Sequence, residues 1–152
     1  MVGSLRYLYN SRPDICFAVG VISRYMHQPR KVHLLATKRV LRYIKGTIGF
    51  GLLFPKNNQE QTELVGYSDS DRCGDCSDRR STSGFLFKFM GAPISWCSKK
   101  QPVVALSSCE AEYITGAYVA CQAVWLHYVL SEMTIEEQAY RDQISLSKGA
   151  SQ

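Results

Sequence analysis

At 152 residues, with 45% hydrophobic and 20% charged content, the chain suits one ordinary domain or two small pieces and is too apolar for a disordered tail. Its net charge of +5 hides an asymmetry: residues 1–56 carry ten Lys/Arg against Asp14 alone, +9, and residues 57–152 carry eight against twelve Asp/Glu, −4. A basic first third joined to an acidic remainder suits one part holding a polyanion and another holding cations, with a merely solvated basic face as the alternative.

Ser11-Arg12-Pro13-Asp14 has the makings of a helix start, with Ser11 as cap, Pro13 in the first turn and Asp14 at the capping-box position. The helix should run through Ile15, Val19, Ile22 and Met26 and stop at Pro29. A second helix is expected from Val32 to Lys45, ended by Gly46. At 100° per residue, Lys31, Lys38, Arg42 and Lys45 share a stripe about 60° wide, and Ala36, Val40, Leu41, Tyr43 and Ile44 occupy much of the other side. Gly51-Leu52-Leu53-Phe54-Pro55 is a short strand candidate. Lys56 to Thr62 reads as a polar linker, which places a boundary between a helical segment, 1–56, and a second domain, 57–152.

In the second domain Leu64–Ser68 starts a strand that ends in Asp69-Ser70-Asp71. Residues 72–82 are loop-like. Gly84–Phe89 is a strong strand turned by Gly91-Ala92-Pro93 into Ile94–Cys97, completing a three-stranded antiparallel meander. Ser107 and Glu110 then open a long helix to about Leu130. Gly116, Val119, Ala120 and Ala123 form a small-residue face suited to a sheet. Tyr113, Ile114, Cys121, Trp125 and Tyr128 form a bulkier flank, so burial on both sides is expected. The fold class is α/β.

Asp69 at a strand end and the Glu110/Glu112 pair at a helix start are the informative constellation. Carboxylates from separate elements at a sheet edge make a hard-oxygen site that suits magnesium, and two such ions about 4 Å apart can promote phosphodiester hydrolysis. Helix-capping and surface acids are the competing explanation, since acids favour helix starts anyway. Glu110 and Glu112 lie about 200° apart around the helix. Glu110 suits the cap and Glu112 the metal, with the reverse assignment as the alternative. Cys73-Gly74-Asp75-Cys76 has CxxC spacing but lacks a second ligand pair, and reads as loop. Trp96 and Trp125 read as core.

No run of about eighteen apolar residues suggests a membrane span, and Met1–Arg6 lacks the apolar stretch of a secretory signal. Cys16, Cys73, Cys76, Cys97, Cys109 and Cys121 are spread thinly and are expected as reduced thiols. The expected location is intracellular, in cytoplasm or nucleus.

Several segments, in order over roughly residues 1–130, resemble the Pol polyprotein of copia-type retrotransposons. They are Gly3–Leu8, Arg12–Ile15, Lys38–Thr47, Gly66–Asp71, Asp78–Phe85, Ser95–Gln101 and Ala105–Tyr113. The resemblance implies a thumb-like helical end of the reverse transcriptase, then a partial ribonuclease-H-like fold that cuts RNA in RNA–DNA hybrids with two magnesium ions. Asp69 and Glu112 match the family's metal-binding aspartate and helix glutamate. Asp142, in Tyr140–Gln143, is a third candidate. The thumb role would place Lys31, Lys38, Arg42 and Lys45 on hybrid or duplex nucleic acid, with Lys99 and Lys100 adding backbone contacts. The remaining Pol segments are implied partners. The sequence departs from the family at Arg72-Cys73, where a tryptophan is usual, and offers no candidate for the last metal-binding acid. Impaired cleavage is therefore expected, with a non-catalytic nucleic-acid-binding remnant as the alternative. The polymerase's own carboxylates would lie upstream, so polymerase activity is not expected.

Overall fold

The computed structural model describes the backbone of residues 1–55 and 63–149, and side chains through Met133 apart from residues 56–62. The linker expected at 56–62, and with it the boundary after residue 56, lies outside the described residues. Two compact units are present, 1–116 and 117–152.

The first unit opens with a helix the sequence reading did not anticipate, α1 (Val2–Leu8). A 3-10 turn (Pro13–Ile15), α2 (Cys16–Ser23) and α3 (Lys31–Gly46) follow. Val2, Leu5, Ile15, Val19, Ile22 and Val40 interlock as the core of these helices. This burial, at about 25 cal/mol per Å² of apolar surface, is what three short helices need to hold together in water.

Ser11 does not cap the next helix; its hydroxyl donates back to the Leu8 carbonyl at 3.0 Å. Asp14 is instead engaged by both arms of Arg12, at 2.9 and 2.7 Å. The same guanidinium donates to the Thr47 carbonyl at 3.2 Å and to its Oγ1 at 2.7 Å, tying the turn to the end of α3. That fork geometry holds the Asp14 carboxyl below its ordinary range. On α3, Thr37 and Val40 are buried, whereas Leu41 and Tyr43 are exposed, so the packed face is narrower than expected. The strand anticipated at Gly51–Pro55 is irregular, with Leu53 80% exposed, because no neighbouring strand pairs with it among the described residues.

Three strands follow, β1 (Leu64–Ser70), β2 (Thr82–Phe89) and β3 (Ala92–Lys100), in the antiparallel order β1-β2-β3. Met90 and Gly91 form the two-residue hairpin, both at positive φ (52° and 80°), the backbone twist that joins tightly paired strands. A bulge between the Phe87–Ser95 and Lys88–Pro93 pairs leaves Ile94 as the extra residue. Phe87 lies buried over Gly66, where an added Cβ would come 2.7 Å from the ring. Gly66→Ala is therefore expected to destabilise the chain by about 1–3 kcal/mol through overpacking, measurable as a lower denaturant midpoint with unchanged slope.

The helical segment packs on the outer strand. Trp96 Nε1 donates to the Tyr9 carbonyl at 2.9 Å, and the Gly20 backbone closely approaches the Ser98 carbonyl. Finally, α4 runs from Ser108 to Gly149, well past the end expected near Leu130. Ala111 and Thr115 are its buried positions in the first unit, and Gly116 has open space beside it. The sheet-facing side is thus set by a polar contact at Thr115 rather than by the small-residue face. Tyr113 is 83% exposed, so burial on both flanks does not occur. In the second unit Leu126 is buried and Trp125 is 57% exposed. Neighbouring positions on a helix point about 100° apart, so when Leu126 turns inward Trp125 turns out. No helix of the described residues is long and apolar enough to cross a membrane.

Candidate active site

The end of β1 presents Asp69, an exposed side chain beside Gly84 of β2. At the start of α4 two glutamates divide the work. Ser107 Oγ accepts the Glu110 N–H at 3.1 Å, and Glu110 Oε2 accepts the Leu106 N–H at 2.6 Å. Glu110 is thus occupied in holding the helix entry. Glu112 reaches the sheet: its Oε1 accepts the backbone N–H of Ser70, the residue after Asp69, at 3.2 Å.

Two carboxylates from separate elements therefore arrive at consecutive backbone positions of one strand end, and both residues are exposed. Carboxylates are the kind of hard-oxygen donor that magnesium prefers, and their exposure leaves room for the waters it keeps. No group of three or more His, Cys, Asp or Glu side chains gathers at a metal distance among the described residues. The backbone at Asp142 belongs to α4; its side chain lies outside the described residues.

Lys31, Lys38, Arg42 and Lys45 are all exposed along α3, opposite its buried Thr37 and Val40. Lys99 is exposed on β3. Lys100, also expected on the nucleic-acid backbone, is paired with two carboxylates. Its ammonium lies 2.6 Å from Asp75 and 2.7 Å from Asp78.

Asp75 is the buried centre of this cluster. It also accepts the Ser77 N–H at 2.9 Å and hydroxyl at 2.5 Å, and lies 3.5 Å from Arg24, the residue that follows α2. Lys100 first, then Ser77, hold the Asp75 carboxyl far below its usual range, and Lys100 also lowers the Asp78 carboxyl. For Lys100 itself, burial works to lower the ammonium pKa, but its bonds to the two aspartates outweigh this and raise it. The sequence signal for this cluster is an acidic loop spaced as Asp75 and Asp78 ahead of the Lys99-Lys100 strand end, a pattern absent from the expectations above.

The same loop holds both CxxC cysteines. Cys73 sits at φ 55° with its N–H on Ser81 Oγ, Cys76 is exposed, and neither joins a metal-ligand group among the described residues. Asp71, at the loop's start, accepts the Thr82 N–H at 2.5 Å and closes it onto β2. Gln101, Ser83 and Thr115, buried beneath the strand end, were likewise not read as part of the site.

No family model matches the chain, and no solved structure does. Curated relatives are clear. The chain is 42% identical over 98% of its length to the retrovirus-related Pol polyprotein from transposon TNT 1-94 of Nicotiana tabacum, covering 12% of that protein. It is 44% identical over 89% of its length to the Pol polyprotein from transposon RE1 of Arabidopsis thaliana, covering 9% of it. It is also 49% identical over 82% of its length to the secreted RxLR effector protein 161 of Plasmopara viticola, covering 87% of that protein. The chain thus spans about a tenth of the two polyproteins it matches.

Proposed function

Because the chain belongs to the Pol polyprotein family of copia-type retrotransposons, we propose that it takes part in ribonuclease-H-type cleavage of the RNA strand of RNA–DNA hybrids. The observation that carries this reading is the bond from the Ser70 N–H to Glu112, which brings the helix carboxylate to the strand end that bears Asp69. In this reading Asp69 and Glu112 hold magnesium, Glu110 secures the helix entry, and the remaining Pol segments are candidates to complete the ligand set. Bound magnesium supplies activation of a water and stabilisation of the leaving oxygen. The chain's own residues fix where that chemistry occurs and hold the substrate.

Holding falls to α3. Its exposed Lys31, Lys38, Arg42 and Lys45 form a cationic ridge suited to phosphates, with Lys99 as a further contact. Each phosphate neutralised releases counterions, giving affinity that is independent of sequence and falls with salt. Lys38→Glu combined with Arg42→Glu is expected to weaken hybrid binding and lower the slope of log K against log salt by roughly two. Binding and slope equal to wild type would remove the ridge from the substrate path.

The direct test is cleavage of a labelled RNA–DNA hybrid in magnesium, set beside binding of the same hybrid in EDTA. Metal-dependent cutting confined to the RNA strand supports the nuclease reading. Binding in EDTA with no cutting in magnesium would leave a non-catalytic nucleic-acid-binding segment.

A further inference from the structure

Gln101, directly after β3, is 1% exposed, and its Nε2 faces four acceptors. They are the Ala111 carbonyl at 2.9 Å, Ser83 Oγ at 3.0 Å, and Ser70 Oγ and Thr115 Oγ1, each at 3.3 Å. An amide nitrogen carries two protons, so the two shorter contacts are the full bonds and the others lie in their fringe. A carbonyl only accepts, and Ala111 thereby fixes which end of the Gln101 amide faces the cluster.

The hydroxyls then order themselves. Thr115 donates to the Ala111 carbonyl at 3.0 Å, and Ser83 therefore donates to Thr115 across 2.6 Å. Ser70 donates to the Asp71 carbonyl at 3.2 Å. The opposite end of the amide, Oε1, is buried without a hydrogen-bond partner among the described residues. An apolar side chain of the same shape would avoid that unmet acceptor, so the amide's value lies in what Nε2 holds.

What Nε2 reaches is informative. Ser70 immediately follows Asp69, and Ala111 immediately precedes Glu112. One buried side chain touches the neighbours of both candidate metal-holding carboxylates, one on a strand and one on a helix. We propose that Gln101 is the positioning residue of the site: it locks the start of α4 in register with the end of β1, so that Glu112 stays on the Ser70 N–H at the strand end that bears Asp69. The assignment rests on the proposed metal-holding role of Asp69 and Glu112, but its geometric part can be tested apart from it.

The test uses the full chain and Gln101→Met, which keeps length and volume while removing both donors. Amide hydrogen exchange without metal reads the Ser70 N–H, and a titration with manganese alone reads paramagnetic broadening at Asp69, Ser70 and Glu112. The expected result is at least about tenfold faster exchange at Ser70 with hairpin amides near Phe89 unchanged, and a manganese midpoint raised about tenfold. A role in stability alone would raise exchange at the hairpin and at Ser70 together. Wild-type exchange at Ser70 in Gln101→Met would overturn the proposal. If Gln101→Met loses the hairpin signals by unfolding, Ser83→Ala decides. It is expected to speed Ser70 exchange selectively, and exchange there as in wild type overturns the proposal. If Ser70 loosens in Gln101→Met but manganese broadens nothing even in wild type, the register lock stands and the metal-holding reading falls.

Discussion

Asp69→Asn is expected to reduce magnesium-dependent hybrid cleavage on the order of 10³-fold while leaving the fold and hybrid binding in EDTA unchanged. Asparagine keeps the volume of aspartate and loses the charge and one of its two metal-binding oxygens. Metal stabilisation of a phosphodiester transition state is worth several kcal/mol, and each 1.4 kcal/mol lost is a factor of about ten in rate. Asp69 is exposed at a strand end, so no buried network should collapse with it. Glu112→Gln refines the test, because its amide oxygen still accepts the Ser70 N–H and only the charge is removed. It should follow Asp69→Asn, whereas Glu110→Gln, which alters the helix entry, should not. Cleavage by Asp69→Asn at the wild-type rate would show that the reacting phosphate lies elsewhere.

The second large effect is structural. Asp75→Ala should destabilise the first unit by roughly 2–4 kcal/mol, read from denaturant midpoints. The Asp75 side chain is 4% exposed and meets Lys100, Ser77 and Arg24, which come from β3, the loop and the end of α2. Removing a buried partner from its countercharges costs about 3–5 kcal/mol. The lower figure applies because Lys100 and Arg24 keep partial access to water, where charges are screened.

The same contact sets an acid limb. The folded-state pKa of Asp75 is depressed, so the unfolded chain binds the proton more readily than the folded one. Its stabilisation is complete above the ordinary carboxylate range, near pH 4, and fades as pH falls below it toward the lower folded value. Asp14 and Asp78 shift in the same direction and add to the slope. Asp75→Ala should flatten that limb relative to wild type; an identical slope would detach the cluster from acid sensitivity.

Sequence patterning made the meander and the long helix legible because their signals are local. The strand-prone runs Leu64–Ser68 and Gly84–Phe89, and the Ser107/Glu110 spacing, each act within a few residues. That Glu110 holds the helix entry while Glu112 turns to the sheet also follows from their angular separation. What escaped the reading depends on residues distant in sequence. Asp14 looks like a cap, but the Arg12 fork that engages it is anchored on Thr47, far along the chain. Lys100 looked like a surface cation until the Asp75 loop folded over it. Gly51–Pro55 had strand composition but no partner to pair with among the described residues. The inward side of α4 was misjudged because Thr115 is polar, and only the facing Ser83 and Gln101 reveal why a hydroxyl belongs there.

The bulge at Ile94 has a consequence for how this segment tolerates change. Along an extended strand, side chains obey an odd–even rule, and one additional residue reverses it for everything downstream. Here that reversal directs Trp96 and Lys100 to the Tyr9 and Asp75 side of the sheet, and Gln101 to the opposite side, toward Ser83 and Thr115. Deleting Ile94 would restore an ideal hairpin and exchange the two sides at a stroke, unseating the helices from one surface and the carboxylate support from the other. A local irregularity thus acts as the parity bit of β3, and changes of chain length within the hairpin should survive only when they leave that parity intact.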